Sequence, residues 1–206
     1  MKVLKFGGSS LADAVRYQNV ATIVASIHQT DGAAVVLSAP KGVTNALSLL
    51  TEQAEQGQDF GELQAKLSMT LNSIADELAE AIAGYDVTAV KAMIESTLNY
   101  LDQRLRGIQL LGCAPENTAA ELMSLGEYVS VNLLSHIFKA QGVKNTIIDP
   151  VDYVVANGPY LDALADVAES KARFVDVDNS GDTLLIMPGF VAVNSDGEKV
   201  TLGRNG

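Results

Sequence analysis

The sequence is short of several residue types, and each shortage excludes a class of protein. Its 206 residues contain a single cysteine, Cys113, and no tryptophan. One cysteine cannot form a disulfide framework or a cysteine-based zinc site, and this usage is typical of a reducing cytoplasm. We expect the lone thiol to behave as a small buried apolar residue.

Positive charge is scarce as well. Lys and Arg number 14 against 25 Asp and Glu, which gives a formal net charge of -11. Such an acidic chain is not expected to bind nucleic acid or an anionic membrane surface. The sequence also has no apolar run near the roughly 20 residues of a membrane span, and no signal-peptide pattern is expected. We therefore expect the few Lys and Arg residues to have specific roles.

Hydrophobic residues are abundant, at 48% of the chain, which is enough for one sizeable core. Four short strand-like runs alternate with helical patterns at residues 2–6, 33–38, 145–149 and 183–187. This alternation predicts an α/β fold with a doubly wound, mainly parallel sheet. Residues 10–13 fit a capping pattern for the first helix, and residues 194–197 predict a hairpin turn.

A helical hairpin is predicted within residues 60–110. Apolar residues recur at steps of three and four from Leu63 to Ile82 and again from Val90 to Ile108, with Gly84 between the two runs. We interpret this stretch as an antiparallel pair inserted into the α/β pattern. Two alternatives stay open: the apolar stripes pack only within the chain, or part of the hairpin forms a subunit interface.

The first strand-like run contains a lysine, Lys5, two positions before a glycine pair. The carboxyl end of such a strand borders the ligand crevice of an open α/β sheet, where an ammonium group can meet an anion. Gly7, Gly8 and Ser9 follow, and glycines let backbone N–H groups approach an anion closely. These residues predict a phosphate cradle with a lysine. A tight turn beside a surface lysine is the alternative.

The second strand-like run ends in the segment SAPKGVTN, residues 38–45. Ser38 closes the strand, and Thr44 or Asn45 is expected to cap the next helix. Hydroxyl and free N–H groups in this position suit a carboxylate or a phosphate. Ordinary loop and capping chemistry is the alternative.

A carboxylate is predicted on the apolar side of a largely buried helix within residues 121–138. Glu127 shares a helical stripe with Val131 and Leu134, so its charge needs a partner. We interpret it as the acceptor for a ligand ammonium group, and pairing with a protein cation is the alternative. Gly126 costs about 1 kcal/mol relative to alanine inside a helix, which indicates close backbone approach or a bound ligand.

Three further polar residues are of interest. Arg204, in the segment TLGRNG, is suited to hold a carboxylate with two hydrogen bonds, although an exposed loop arginine is the alternative. His28 and His136 have no acidic or metal-binding partners at useful spacing, so we expect both to be structural. No metal site is predicted from the protein's own side chains.

Four ordered segments resemble motifs of the aspartokinases, in the amino-acid kinase superfamily. KFGGSS resembles the opening KFGG(T/S)S, LSAPKGVTN the second loop, SLGEYVS the helix motif ending in Gly-Glu, and TLGRNG the start of GR(G/N)GSD. The likeness spans the whole chain. RGIQLLGCAP and IIDPVDYVVANGPYLDALADVAES are most similar to the N-terminal aspartokinase part of the bifunctional aspartokinase–homoserine dehydrogenases I.

The resemblance implies an αβα sandwich and an enzyme that phosphorylates the β-carboxylate of L-aspartate with ATP. This reaction is the first step of lysine, threonine and methionine biosynthesis, and Mg²⁺ would arrive with ATP. By the same resemblance, Lys5 would be the catalytic cation that neutralises the transferring phosphoryl group. Gly7, Gly8 and Ser9 would cradle phosphates.

The resemblance also implies an aspartate site. Ser38 and Thr44 would line it, Glu127 would hold the α-ammonium group, and Arg204 the α-carboxylate. We therefore expect the partners to be the small molecules L-aspartate and ATP, with no nucleic acid and no membrane, in a cytoplasmic homo-oligomer.

We expect residues 1–206 to be the N-terminal, aspartate-binding part of a kinase domain, and inactive alone. The family motif continues with Ser-Asp after the position of Gly206, and that aspartate is the family's catalytic carboxylate. The rest of the kinase, the regulatory domains and an NADP-dependent homoserine dehydrogenase would follow. Two alternatives are another amino-acid kinase of the acetylglutamate type, and a non-catalytic ligand-binding or assembly domain.

Overall fold

The computed structural model describes residues 1–177 and 180–203 of the chain. Strands and helices alternate along most of this length. In chain order the elements are β1 (Lys2–Phe6), α1 (Ala14–Asp31), β2 (Ala33–Leu37), α2 (Val43–Glu55), α3 (Gly61–Ala81), α4 (Val87–Leu111), α5 (Glu116–Ala140), β3 (Asn145–Ile147), α6 (Pro150–Tyr153), β4 (Ala156–Asn157), β5 (Leu164–Ala165), α7 (Val167–Arg173), β6 (Leu184–Pro188), β7 (Val191–Val193) and β8 (Lys199–Thr201). Short 3₁₀ turns lie at Gly8–Leu11 and Phe174–Asp176.

Four parallel strands form the main sheet, in the order β1-β2-β6-β3. They are the four strand-like runs of the sequence: β1 has the predicted bounds, and the ends of the other three differ by at most two residues. Two small antiparallel pairs, β4-β5 and β7-β8, complete the strands of the described residues. The predicted α/β fold with a mainly parallel sheet is confirmed, and so is the hairpin turn at residues 194–197, where the backbone N–H of Asn194 donates to the carbonyl of Glu198.

Helices α1 and α5 pack on one face of the sheet. In β2 the residues that face them, Ala33, Val35 and Leu37, are fully buried. The other face is less well covered and holds an apolar groove of about 350 Å³. Its lining includes Met1, Val3, Ala34, Val36, Ile148, Phe174, Val177, Leu185 and Met187. Val3 is 69% exposed, so this face leaves apolar surface in contact with water.

Helices α3 and α4 pack against each other, as the sequence pattern predicts, and Lys91 Nζ lies 2.6 Å from Asp76 Oδ1 near their connection. Their apolar stripes are buried in the same core as α1, α2 and α5. Leu71 and Ile94 are examples, with at most 2% exposure. Packing within the chain therefore accounts for most of both stripes. None of the described helices is long and apolar enough to cross a membrane.

Two helix starts differ from the sequence prediction. Asp13, not Ser10, caps α1, and its carboxylate accepts a hydrogen bond from the backbone N–H of Arg16 at 2.9 Å. Before α2, neither Thr44 nor Asn45 is the cap, because Gly42 occupies that position in a left-handed conformation with φ 86°. Helix α1 therefore does have a side-chain cap, three residues after Ser10, whereas α2 starts without one because a glycine can turn the chain into a helix by its backbone alone.

The prediction that Cys113 is buried is wrong, because the thiol is exposed. Gly112 ends α4 in a left-handed conformation, and Cys113 follows in the connection to α5, outside the core.

Both histidines have structural contacts. His28 Nδ1 accepts a hydrogen bond from the backbone N–H of Ala33, and the His136 ring packs edge-on against Tyr85.

Gly126 lies where α5 touches the loop between β2 and α2. A Cβ atom at Gly126 would lie 2.6 Å from Cβ of Ala39 and 2.8 Å from Cγ1 of Val43. Both distances are shorter than carbon atoms tolerate, so only glycine allows this approach. Of the two explanations that the sequence offered, close backbone approach is the one that the packing supports.

We expect Gly126→Ala to lower the free energy of unfolding by about 1 to 3 kcal/mol, because the added methyl group must displace Ala39 and Val43. Urea denaturation followed by circular dichroism measures this change. The higher helix propensity of alanine opposes the loss by only about 1 kcal/mol.

Gly107→Ala is the matched control. Gly107 also lies inside a long helix, α4, but a Cβ atom there would meet nothing within 4 Å. We expect this variant to be more stable than the wild type by about 0.5 to 1 kcal/mol. Equal changes in the two variants would contradict a steric origin for the effect at Gly126.

Candidate functional site

A cavity of about 520 Å³ opens at the carboxyl ends of the central strands. Six residues singled out in the sequence line it: Lys5, Gly8, Ser9, Ser38, Thr44 and Glu127. Gly7 is not part of the lining. Arg204 lies outside the described residues, although the two residues before it, Leu202 and Gly203, reach the cavity. Segments separated by more than a hundred residues in sequence thus meet in one place.

Lys5 reaches the cavity from the end of β1. It pairs in register with Val36 of β2, and its side chain is exposed, so its charge is hydrated rather than buried. It forms no ion pair with any residue in ranges 1–177 and 180–203. The ammonium group is therefore free to meet an anion that enters the cavity.

The two glycines after β1 have different surroundings. A Cβ atom at Gly8 would lie 2.9 Å from the backbone oxygen of Ala39, so the turn after β1 and the loop after β2 touch at this point. Gly7 has φ -83° and ψ 168°, an extended conformation open to any residue, and a Cβ atom there would meet nothing within 4 Å. Internal packing thus requires glycine at Gly8 and not at Gly7.

The loop between β2 and α2, residues 38–42, forms the next wall. The backbone N–H of Ser38 donates to the carbonyl of Phe6 at 3.0 Å, which ties the start of the loop to β1. Helix α2 then begins at Val43 and presents Thr44, Asn45 and Ser48 to the cavity. Two hydroxyl groups and one amide therefore project from the first turns of this helix.

Glu127 is 2% exposed and lies on α5 at the back of the cavity. Its Oε2 atom has no hydrogen-bond partner among the described residues. Burial raises the pKa of this carboxyl from 4.5 to about 7, and hydrogen bonding from the backbone N–H of Ala39 opposes part of the rise. The alternative of a protein cation as its partner finds no support in the part of the chain that the structure describes.

Sequence reasoning missed several cavity residues. Lys41 lies in the segment SAPKGVTN, where nothing in the local sequence distinguishes it from an ordinary turn residue, and it adds a second ammonium group to the lining. Phe190 gave no sequence signal beyond the preceding Pro-Gly pair. It has φ 69°, a conformation that costs a bulky residue of the order of 1 kcal/mol. Its carbonyl accepts a hydrogen bond from Leu202 N–H at 2.8 Å, which brings the end of β8 to the cavity.

The cavity thus combines two ammonium groups, Lys5 and Lys41, with one buried carboxylate, Glu127, and several small donors. A ligand that fits must place a cation against Glu127 and anionic groups toward the lysines. No set of three His, Cys, Asp or Glu side chains suited to a metal ion occurs among the described residues.

We expect the stability of the ligand-free protein to fall as pH rises from about 4.5 to about 7. Below this window Glu127 is protonated in both the folded and unfolded states. Within it the unfolded carboxyl ionises first, because the folded pKa is raised to about 7. The ionisation of this one group lowers the free energy of unfolding by about 3 kcal/mol, and the loss is complete above pH 7. Urea denaturation at pH 4, 6 and 8 measures it.

Glu127→Gln should remove this dependence and be more stable than the wild type at pH 8 but not at pH 4. Glu95→Gln, which changes an exposed carboxyl on α4, should follow the wild-type profile. If the profiles of the two variants coincide, Glu127 is not the group responsible.

The chain is similar in sequence to proteins of known family. The sequence model of the amino acid kinase family matches residues 1–206. The bifunctional aspartokinase/homoserine dehydrogenase of Buchnera aphidicola subsp. Acyrthosiphon pisum is 34% identical over 207 residues, which cover 100% of this chain and 25% of that protein. The chain thus spans about a quarter of this relative.

The fold of this chain is also similar to that of solved aspartokinase structures. Escherichia coli aspartokinase III in complex with lysine and aspartate has a TM-score of 0.84 and 26% identity, and the match covers 99% of this chain and 44% of that one. The same enzyme in complex with aspartate and ADP has a TM-score of 0.83, with the same identity and coverage. Since the family model matches the chain from end to end, the chain belongs to the amino acid kinase family.

Proposed function

We propose that this chain is the aspartate-binding part of an aspartate kinase, which phosphorylates the β-carboxylate of L-aspartate with ATP. The observation that carries the proposal is the buried carboxyl of Glu127, whose Oε2 atom has no hydrogen-bond partner among the described residues and which lines the same cavity as Lys5. The carboxyl of Glu127 calls for a cation, and the lysines of the lining call for anions. Aspartate supplies an ammonium group and two carboxylates, and the relatives that match the whole chain are aspartokinases.

In this proposal Glu127 binds the α-ammonium group of aspartate. A cation beside Oε2 favours the ionised carboxylate and lowers its pKa from the raised value of the ligand-free protein. Ser38 and Thr44 line the site with hydroxyl groups. Arg204, which follows the cavity residue Gly203 in sequence, would bind the α-carboxylate. The β-carboxylate is then left free for the reaction.

Phosphoryl transfer requires the β-carboxylate oxygen to form a bond to the γ-phosphorus of ATP, while the bond from that phosphorus to the bridging oxygen breaks and ADP leaves. Lys5 would neutralise charge on the transferring group, and the turn at Gly7, Gly8 and Ser9 would hold phosphates. Mg²⁺ would enter with the phosphates of ATP, because the cavity itself offers a single carboxylate.

The domain arrangement is also a proposal. We propose that residues 1–206 form the N-terminal part of the kinase domain and include residues 60–110 as a helical insertion. The apolar groove on the second face of the sheet supports a longer chain, since a following segment that packs over Val3 and Val36 would bury exposed apolar surface. By analogy with the bifunctional relative, the whole protein would add regulatory domains and an NADP-dependent homoserine dehydrogenase, as a cytoplasmic homo-oligomer.

A kinase of the acetylglutamate type fits the site less well. An acetylated amine has no positive charge, so it would leave the buried Glu127 carboxylate without a counter-ion. A purely structural assembly domain would not explain why a buried carboxyl oxygen lacks a partner among the described residues, and most of the α3 and α4 apolar stripes are already buried within the chain.

In the full-length protein we expect Lys5→Met to lower kcat at least a hundredfold, because it removes charge that stabilises the transition state.

We expect Glu127→Ala to raise the KM for aspartate by about a hundredfold and to change the KM for ATP by less than about threefold. Steady-state ADP production measures both. An unchanged rate in the first variant, or a change confined to ATP in the second, would contradict the assigned roles.

The purified 206-residue chain should show no aspartate-dependent ADP production under conditions in which the full-length protein is active. The reason is that the family's catalytic aspartate follows the position of Gly206. Calorimetric titration with aspartate tests whether the site nevertheless binds. Turnover by the short chain would show that it holds a complete active site.

A further inference from the structure

We propose that Lys41 is a second phosphate-binding cation of this site and contacts the phosphate chain of the nucleotide. The inference rests on the proposed kinase function and adds to it a residue for which the aspartokinase resemblance assigned no role. Lys41 lies in the loop between β2 and α2 and lines the cavity together with Lys5 and Glu127.

The position of the loop decides which part of the ligand Lys41 can reach. The atoms nearest to a Cβ atom at Gly8 belong to Ala39 and to the backbone of Lys41, whose Cα atom would be 3.5 Å away. The atoms nearest to a Cβ atom at Gly126 belong to Ala39 and Val43 instead. Ala39 touches both sides, but Lys41 adjoins the turn proposed to hold phosphates, whereas Val43 adjoins the helix that carries Glu127.

Charge supports the same assignment. Lys41 is exposed and forms no ion pair with the residues that the structure describes, so nothing in the described chain neutralises it. With Lys5 it gives the cavity two positive side chains against the one negative charge of Glu127, in a chain whose formal net charge is -11. The negative charge of an acidic protein repels a nucleoside triphosphate, so positive side chains are needed where the phosphates bind.

Glu127 provides independent support that this cavity binds a ligand. It is buried, lines the cavity and has an oxygen without a partner in the described chain. A ligand whose ammonium group meets Glu127 has its negative groups left for the positive side chains of the lining, Lys5 and Lys41. Lys5 reaches the cavity from strand β1, and Lys41 from the loop after β2.

The test uses the full-length protein with Lys41→Gln, Lys41→Arg and, as control, Lys66→Gln. Lys66 is an exposed lysine on α3 that does not line the cavity. We expect Lys41→Gln to lower kcat/KM for ATP by about tenfold to a hundredfold, the range of one hydrogen bond to a charged group. The KM for aspartate should change less than about twofold, Lys41→Arg should retain most of the activity, and Lys66→Gln should match the wild type.

Direct titration with ADP gives a readout that does not need turnover. The dissociation constant for ADP should rise about tenfold or more in Lys41→Gln, and the difference from the wild type should shrink as salt is added. If Lys41→Gln binds ADP like the wild type, the Lys41 inference is wrong even if the protein is an aspartate kinase. If ADP binding weakens as expected but the wild type shows no aspartate-dependent turnover, the Lys41 inference stands and the proposed substrate is wrong.

Discussion

The candidate site depends on the loop between β2 and α2 being held between two glycines. Gly8 approaches the loop from the turn after β1, and Gly126 approaches it from α5, each at a distance that excludes a side chain. The contact at Gly126 sets α5 deep against the loop, and the next residue, Glu127, is consequently buried at the back of the cavity. A methyl group at either glycine would separate the walls.

The burial of Glu127 has an energetic cost that a ligand can relieve. A buried carboxyl with one oxygen left without a hydrogen bond among the described residues destabilises the folded protein at neutral pH, and its raised pKa reports that cost. A ligand ammonium group beside that oxygen would restore the charged form of the carboxyl. This arrangement favours a zwitterionic amino acid over a neutral or purely anionic ligand. It would also link ligand binding to stability, since a ligand that binds only the folded protein stabilises it.

Much of the fold could be predicted because short apolar runs and helical periodicity record which side of an element is buried. The strand Lys2–Phe6, the hairpin of α3 and α4, and the apolar character of α5 all follow from such patterns. Helix starts were less predictable, as Asp13 and Gly42 show, because several residues near a helix end compete for the cap. The exposure of Cys113 was missed because residue type alone does not report that Gly112 ends a helix there.

By itself the sequence determined that a lysine lies near the end of the first strand, that two glycines follow this strand, and that a carboxylate lies on an apolar helix face. Local spacing is sufficient for these statements, since they concern residues within a few positions of each other. Tertiary structure alone decided which segments meet: Lys41 lies beside Gly8, Phe190 is joined to Leu202, and Glu127 lies against Ala39 with its Oε2 atom lacking a partner among the described residues. Those contacts join residues from across the chain, and a periodic pattern records that a side chain is buried but not what lies against it.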